Sequence, residues 1–286
     1  MFGAFLVGLA ASASRPVLEA LSSGARRRLI ASPGGGLQLG EEIVQPPKEG
    51  WFDGATVGAC TVRRMGGAEP KWCMWYAGRS VGFASDVMPI ATGCVGVAVS
   101  HDGITWEQAC GEGAAGECFG PDGAENGAFD AAHVGVGDVV DGARRMLYFG
   151  GGSAPTDLGG RSVRGVAMGI GMATSTDGVR WERSFGGKAL LLPRAGEQMF
   201  LGWPCAHREY VYYHASDVAS YGGKFAIARA RVTRTEAEEA EAAEGELGSF
   251  SALEAEEQYV LVPGEPGTFD GARARLEEHS ASLCAK

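Results

Sequence analysis

No C-x-x-C pair occurs anywhere in this chain, although it carries seven cysteines: Cys60, Cys73, Cys94, Cys110, Cys118, Cys205 and Cys284. Such spacing indicates neither a zinc ribbon nor a thioredoxin-like redox pair, and no metal or cofactor is expected. Basic charge is scarce as well. Against 35 Asp and Glu stand 25 Lys and Arg, a formal net charge of −10, and the one arginine cluster, Arg26 to Arg28, lies near the N-terminus. A chain so charged has no basic field to hold a phosphate backbone, so nucleic acid is not expected as a partner. No apolar run is long enough to span a bilayer, which leaves the membrane out too.

Glycine is abundant, at 46 of 286 residues, while 45% of the chain is hydrophobic and 21% charged. That composition suits a globular core with many tight turns and short strands, an all-β class. Most cysteines read as small buried apolar groups, and Cys110 and Cys118 share one glycine-rich loop in which they could pair under oxidising conditions. Residues 1–45 read as a targeting segment. The apolar stretch MFGAFLVGLA leads to an A-x-A-like site at Ala11 to Ala13, followed by a serine- and arginine-rich run in which Glu19 is the only early acid. A plastid or secretory destination is the expectation, and a short N-terminal helix packed on the domain is the alternative.

A period organises the rest. One block runs from WFDGATVGACTVRR through KWCMWYAGR and GCVGVAVS to HDGITWEQ, and a second from AFDAAHVGVGDVV through RRMLYFGGG and VAMGIGMATS to TDGVRWERS. Asp53 and Asp130 lie 77 residues apart and Gly103 and Gly178 lie 75 apart, so a whole unit recurs. A third block is placed at Phe200, 71 residues after Phe129, and FDGARA opens a fourth at Phe269, 69 further on. Within each unit short runs such as VGVAVS alternate in the manner of strands, and repeated four-stranded units build a β-propeller. Asp102-Gly103 and Asp177-Gly178 read as hairpin turns in which glycine supplies a positive φ, with Trp106 and Trp181 wedged between blades. The segment TRTEAEEAEAAEGELGSFSALEAEEQ, residues 233–258, reads as an exposed, largely helical insertion.

The FD blade start, the M-W-Y-A-G strand and G-V-A-V-S-x-D-G-x-x-W together resemble the arabinanase, levansucrase and invertase superfamily of five-bladed propeller glycoside hydrolases. The likeness covers about residues 51–270 and is more specific for fold than for activity. S-x-D-G-x-x-W also resembles the sialidase Asp box but lacks one residue between Asp and Gly, and so reads as a turn. The expected domain is a five-bladed type of propeller over residues 46–286, with blades near 51–110, 128–192 and 199–263 and the next starting at 268. At this period the chain holds three blades and the opening of a fourth, which predicts either a truncated product or self-association through open blade edges.

The resemblance implies three carboxylates around the funnel, one per inner strand, serving as base or nucleophile, as protonated acid, and as a tuning group. Asp53 matches the base or nucleophile, with a blade-start turn as its bland alternative. Asp130, which fits the repeat, competes with His133, which breaks it, for the second place. The acid slot falls at Leu201-Gly202, where no carboxylate stands, and Glu197 is the nearest candidate. Trp51, Trp75 and Trp203, with Tyr76 and Tyr210, are candidate sugar-stacking rings, and His133 a candidate ligand contact, core packing being the competing role. The implied partner is a carbohydrate. The reading is a furanosidase-type hydrolase acting on arabinan- or fructan-like substrates, or alternatively a non-catalytic propeller that binds glycan or protein.

Overall fold

The computed structural model describes residues 28–31, 37–40 and most of 50–262; within the last span, residues 67–70, 89, 91, 110, 112, 114, 124–126, 143, 196–197, 218–224 and 242–246 lie outside the description. Glu197, Cys110, Cys284 and the expected blade start at Phe269-Asp270 fall outside the described residues. Inside the expected targeting segment, β1 (Arg28–Ala31) pairs antiparallel with β2 (Leu37–Gly40).

Three four-stranded antiparallel sheets follow in chain order. The first is β3 (Thr56–Met65), β4 (Lys71–Arg79), β5 (Cys94–Ser100) and β6 (Glu107–Ala109). The second is β7 (His133–Val140), β8 (Arg145–Gly151), β11 (Met168–Thr174) and β12 (Glu182–Arg183), with the small hairpin β9 (Thr156–Asp157) and β10 (Ser162–Val163) in the β8–β11 loop. The third is β13 (Gln198–His207), β14 (Tyr210–Asp217), β15 (Phe225–Thr233) and β16 (Ala252–Ala255). Each sheet is a simple meander, the topology of a propeller blade.

First strands meet one another. Arg63 at the end of β3 donates from Nε to the Val139 carbonyl of β7 at 2.9 Å, and the Ala206 amide of β13 donates to Asp138 Oδ2 of β7 at 3.0 Å. A register shift interrupts each first strand, between Gly58 and Cys60, between Val136 and Asp138, and between Gly202 and Cys205. Bulges of this kind twist and bend a strand, which suits an inner strand that leaves its neighbours to turn around an axis.

Two apolar layers hold the blades face to face. Trp75, Val95 and Val97 of the first blade pack on Val134, Val136, Met146 and Tyr148 of the second, and Leu147, Ile170 and Met172 pack on Leu201, Val211 and Tyr213 of the third. Each fully buried large side chain contributes about 1.5–3 kcal/mol. Trp181 wedges between blades as its spacing predicts. Its ring meets Trp75 edge-on at 6.3 Å, and both indoles donate to the Gly178 carbonyl, Trp75 at 2.7 Å and Trp181 at 3.1 Å.

The Asp-Gly loops are wider than two-residue hairpins. Asp102 Oδ1 accepts from the Ile104 and Thr105 amides at 2.8 and 2.7 Å, Asp177 Oδ1 accepts from Val179 and Arg180 at 2.8 Å each, and in both loops a serine hydroxyl, Ser100 or Ser175, accepts from the glycine amide. Gly103 and Gly178 both sit at φ 75, so the glycine requirement read from sequence holds. The capping bonds pull both carboxyl pKa values down, Asp177 to about 2.

The acidic stretch corrects the sequence reading. Glu236–Glu241 is helical, α1, but Leu247 and Phe250 are buried and β16 is the outer strand of the third blade, so a segment expected to be an insertion completes a sheet. Acid-rich composition concealed it because, among the described residues of this run, few apolar side chains, Leu247, Phe250 and Leu253, face the core.

Candidate functional site

Asp53 and Asp130 each lie three residues before a first strand, in equivalent turns. Asp53 is 2% exposed and its Oδ2 accepts from the Tyr76 hydroxyl at 2.9 Å and from Gln108 Nε2 at 2.7 Å. Asp130 is fully enclosed; its Oδ2 accepts from Arg183 Nε at 3.0 Å and lies 2.9 Å from Nη2 in the same ion pair. The partners are equivalent as well. Tyr76 pairs with Gly96 and Tyr148 with Gly171, while Gln108 pairs with Ala98 and Arg183 with Ala173. In each blade the preceding phenylalanine covers the β-bridge glycine: a Cβ on Gly96 would strike Phe52, and one on Gly171 would strike Phe129. A Cβ on Gly78 or Gly150 would strike the aspartate itself. The strand motifs Tyr-Ala-Gly and Tyr-Phe-Gly thus exist to admit an Asp clasp, an element that the sequence reading missed although the shared Tyr-x-Gly was visible.

The two clasps differ in charge. Burial, and after it the Asp53 carboxylate, raises the Tyr76 phenol above its usual range, and burial with Asp130 does the same to Tyr148. In the second blade the neutral Gln108 becomes Arg183, which also donates from Nη2 to the Gly120 carbonyl at 2.6 Å and lies over the Phe119 ring at 4.4 Å. One arginine therefore ties the second clasp to the connection between blades. In both clasps Oδ1 is buried without a partner among the described residues.

Blade three departs from this plan, and from the sequence alignment. β13 opens at Gln198, so Phe200 lies within the strand and the residue three places before it is Ala195. The equation of Phe200 with Phe129, and with it the acid slot at Leu201-Gly202, is shifted: Leu201 is a core residue, 2% exposed, facing the second blade. A pinch replaces the clasp, in which the Arg194 amide donates to Gln198 Oε1 at 3.0 Å and the Gln198 amide to the Arg194 carbonyl at 2.9 Å.

His133, at the start of β7, is fully buried between Thr92 Oγ1, 3.0 Å from Nδ1, and the Gly165 carbonyl, 2.9 Å from Nε2. Burial pulls its pKa down to about 4; the Gly165 bond opposes this and the Arg79 charge adds to it. The neutral ring therefore donates from Nε2 to Gly165 and accepts from Thr92. Arg79 in turn donates to the Thr92 and Met88 carbonyls and lies over Phe83 at 4.5 Å. The 80–93 and 152–167 loops are laced together above these strands by Asp86, which takes Arg164 at 2.7 and 2.9 Å.

Of the expected stacking rings, Trp75 is a core residue with no exposed face. Tyr76 belongs to the first clasp. Trp203 is half-buried at φ 50 and packs on Phe149 at 4.9 Å and His214 at 5.4 Å. Trp51 is half-buried against the loop at Gly116, and Tyr210 lies half-buried under Arg229 at 4.7 Å. Among the described residues no group of three His, Cys, Asp or Glu side chains is placed to hold a metal ion, and no helix is long and apolar enough to cross a membrane.

Sequential four-stranded meanders, packed face to face with their first strands gathered, define a β-propeller protein. No protein-family model matches the chain, and no curated protein matches it in sequence. Among solved structures it is similar to fructan 1-exohydrolase IIa from Cichorium intybus, at 13% identity and a TM-score of 0.46, over 77% of this chain and 36% of that one. It is also similar to a glycoside hydrolase from a family of mannoside phosphorylases that targets β-1,2 mannosidic linkages in Candida mannan, at 15% identity and a TM-score of 0.46, over 83% of this chain and 62% of that one. The chain thus spans about a third to three-fifths of the length of these two structures.

Proposed function

We propose that this chain is a carbohydrate-binding propeller on the glycosidase plan whose described blades do not hydrolyse their ligand. The observation that carries the reading is the enclosure of Asp53 and Asp130. A base or nucleophile must reach a sugar carbon or its attacking water, and an acid must reach the leaving oxygen. Both aspartates are instead turned into repeat-equivalent clasps, with Tyr76 and Gln108 on one and Arg183 on the other. A residue duplicated with its partners in successive blades serves the blade. With neither aspartate in reach of a glycosidic bond, the assistance of about 10²- to 10⁴-fold that each would give as acid or base is not supplied by them.

A panel of arabinan, fructan and mannan oligosaccharides, read in parallel for binding and for release of reducing ends, tests this. Binding without turnover is expected, and Asp53→Asn should lower the melting temperature while leaving binding within a factor of two. Turnover that is abolished by Asp53→Asn in a protein whose melt is unchanged would reverse the reading and restore Asp53 as base or nucleophile.

A further inference from the structure

The ends of the first strands opposite the Asp clasps form a shallow cleft lined by Arg63, Asp141, Gly142, Ala206 and Arg208. Of the acids nearby, Asp138 and Asp141 are already committed. Asp138 takes Arg63 and the Ala206 amide, and Asp141 takes Arg145 Nη1 at 2.6 Å and the Leu247 and Gly248 amides at 2.8 and 3.1 Å. The arginines keep donors to spare. Arg63 uses three of its five N–H groups, one each on Val139, Val62 and Asp138, and its side chain is still 43% exposed. Its fork is therefore fixed in place with two donors unspent, so little rotamer freedom remains to be lost on binding. Arg208 projects from the β13–β14 turn at φ 55, is exposed, and makes no ion pair among the described residues. Exposed Glu209 is its neighbour in the same turn.

We propose that this cleft binds a small oxyanion, a phosphate or sulfate group either free or carried on a sugar. A held guanidinium with spare donors beside a second that makes no ion pair among the described residues offers the paired donors that such a group accepts. The site stands at the far end of the first strands from the clasps and does not rest on the carbohydrate reading.

Calorimetric titration of the full chain with inorganic phosphate tests the proposal, with sodium chloride at matched ionic strength as reference. Saturable binding is expected, weakened about tenfold in Arg208→Gln, a change on an exposed turn that should leave the melt intact. Arg63→Lys, which keeps the charge but loses the fork, should weaken it as well. Tighter binding of glucose 6-phosphate than of phosphate, with glucose itself inert, would identify a sugar-borne group; equal binding would identify the free anion. No saturable heat, equal binding by Arg208→Gln, or the same response to chloride would overturn the proposal.

Discussion

Removing Arg183 should injure this protein more than any neutral change in the same clasp, because it leaves a carboxylate buried without a counter-charge. Asp130 is fully enclosed, while the Arg183 side chain is 20% exposed, donates to it from Nε and holds it in an ion pair. Breaking a buried pair from one side costs about 3–5 kcal/mol, since the remaining ion keeps its desolvation penalty. Loss of the Gly120 bond and the Phe119 contact adds to this. At roughly 2–4 °C per kcal/mol for a domain of this size, Arg183→Met should lower the melting temperature by about 6–20 °C. The equivalent change in blade one, Gln108→Met, removes one neutral donor and leaves Tyr76 on Asp53, so about 1–2 kcal/mol is expected. Urea unfolding of both variants, of Asp130→Asn and of the Asp130→Asn/Arg183→Met double variant gives the coupling directly. The double variant should recover part of the Arg183→Met loss. A cost for Arg183→Met below that of Gln108→Met would refute the clasp as an ion pair that carries stability.

His133 makes the fold acid-sensitive above the range where carboxylates titrate. Its folded pKa lies near 4 against an ordinary 6.5, so between those values the unfolded chain binds the extra proton and stability is lost as the pH is lowered, by up to about 1.4 kcal/mol per unit. Urea midpoints at pH 7, 6 and 5 should show this slope in the native protein and a flatter one in His133→Gln; equal slopes would remove His133 as the cause. Gly178→Ala places a side chain at φ 75 and should cost about 1–2 kcal/mol in thermal unfolding. Trp181→Ala opens the layer between the first two blades and should cost about 3–5 kcal/mol, with the near-ultraviolet signal of the Trp75 pair lost.

Much of the architecture was legible because its signals are local and repeated. The S-x-D-G-x-x-W loops carry their own hydrogen bonds within six residues, and their glycines and tryptophans stand where the spacing places them. The clasps were half legible: Asp53 and Asp130 announce themselves as a repeat, but Tyr76 and Gln108 lie 23 and 55 residues beyond Asp53, and no local pattern joins them. Blade three was misaligned because Phe200 imitates Phe129 in sequence while its partner strand, through Phe200↔Ser216 and Leu201↔Ala215, fixes it inside β13. Glutamates hid β16, whose inward residues are few.

The same comparison separates scaffold from function. A propeller repeats what holds a blade together, so a residue that recurs with its neighbours reports on the blade: Asp53 with Tyr76, and Asp130 beside Tyr148, belong there. Chemistry that acts once per molecule must come from positions where the repeat is broken. Three are visible. Gln108 in one clasp becomes Arg183 in the other, His133 enters the second inner strand alone, and Asp138 gathers Arg63 and Ala206 where the other first strands carry Cys60 and Cys205 after their bulges. His133 and the Asp130 carboxylate of the first two are enclosed by the chain. The third leaves more of its cation exposed, 43% of the Arg63 side chain against 20% for Arg183, and opens on a cleft with a second arginine. Broken symmetry and accessible charge coincide at that end of the first strands, which makes it the place where a ligand acting once per molecule would be held.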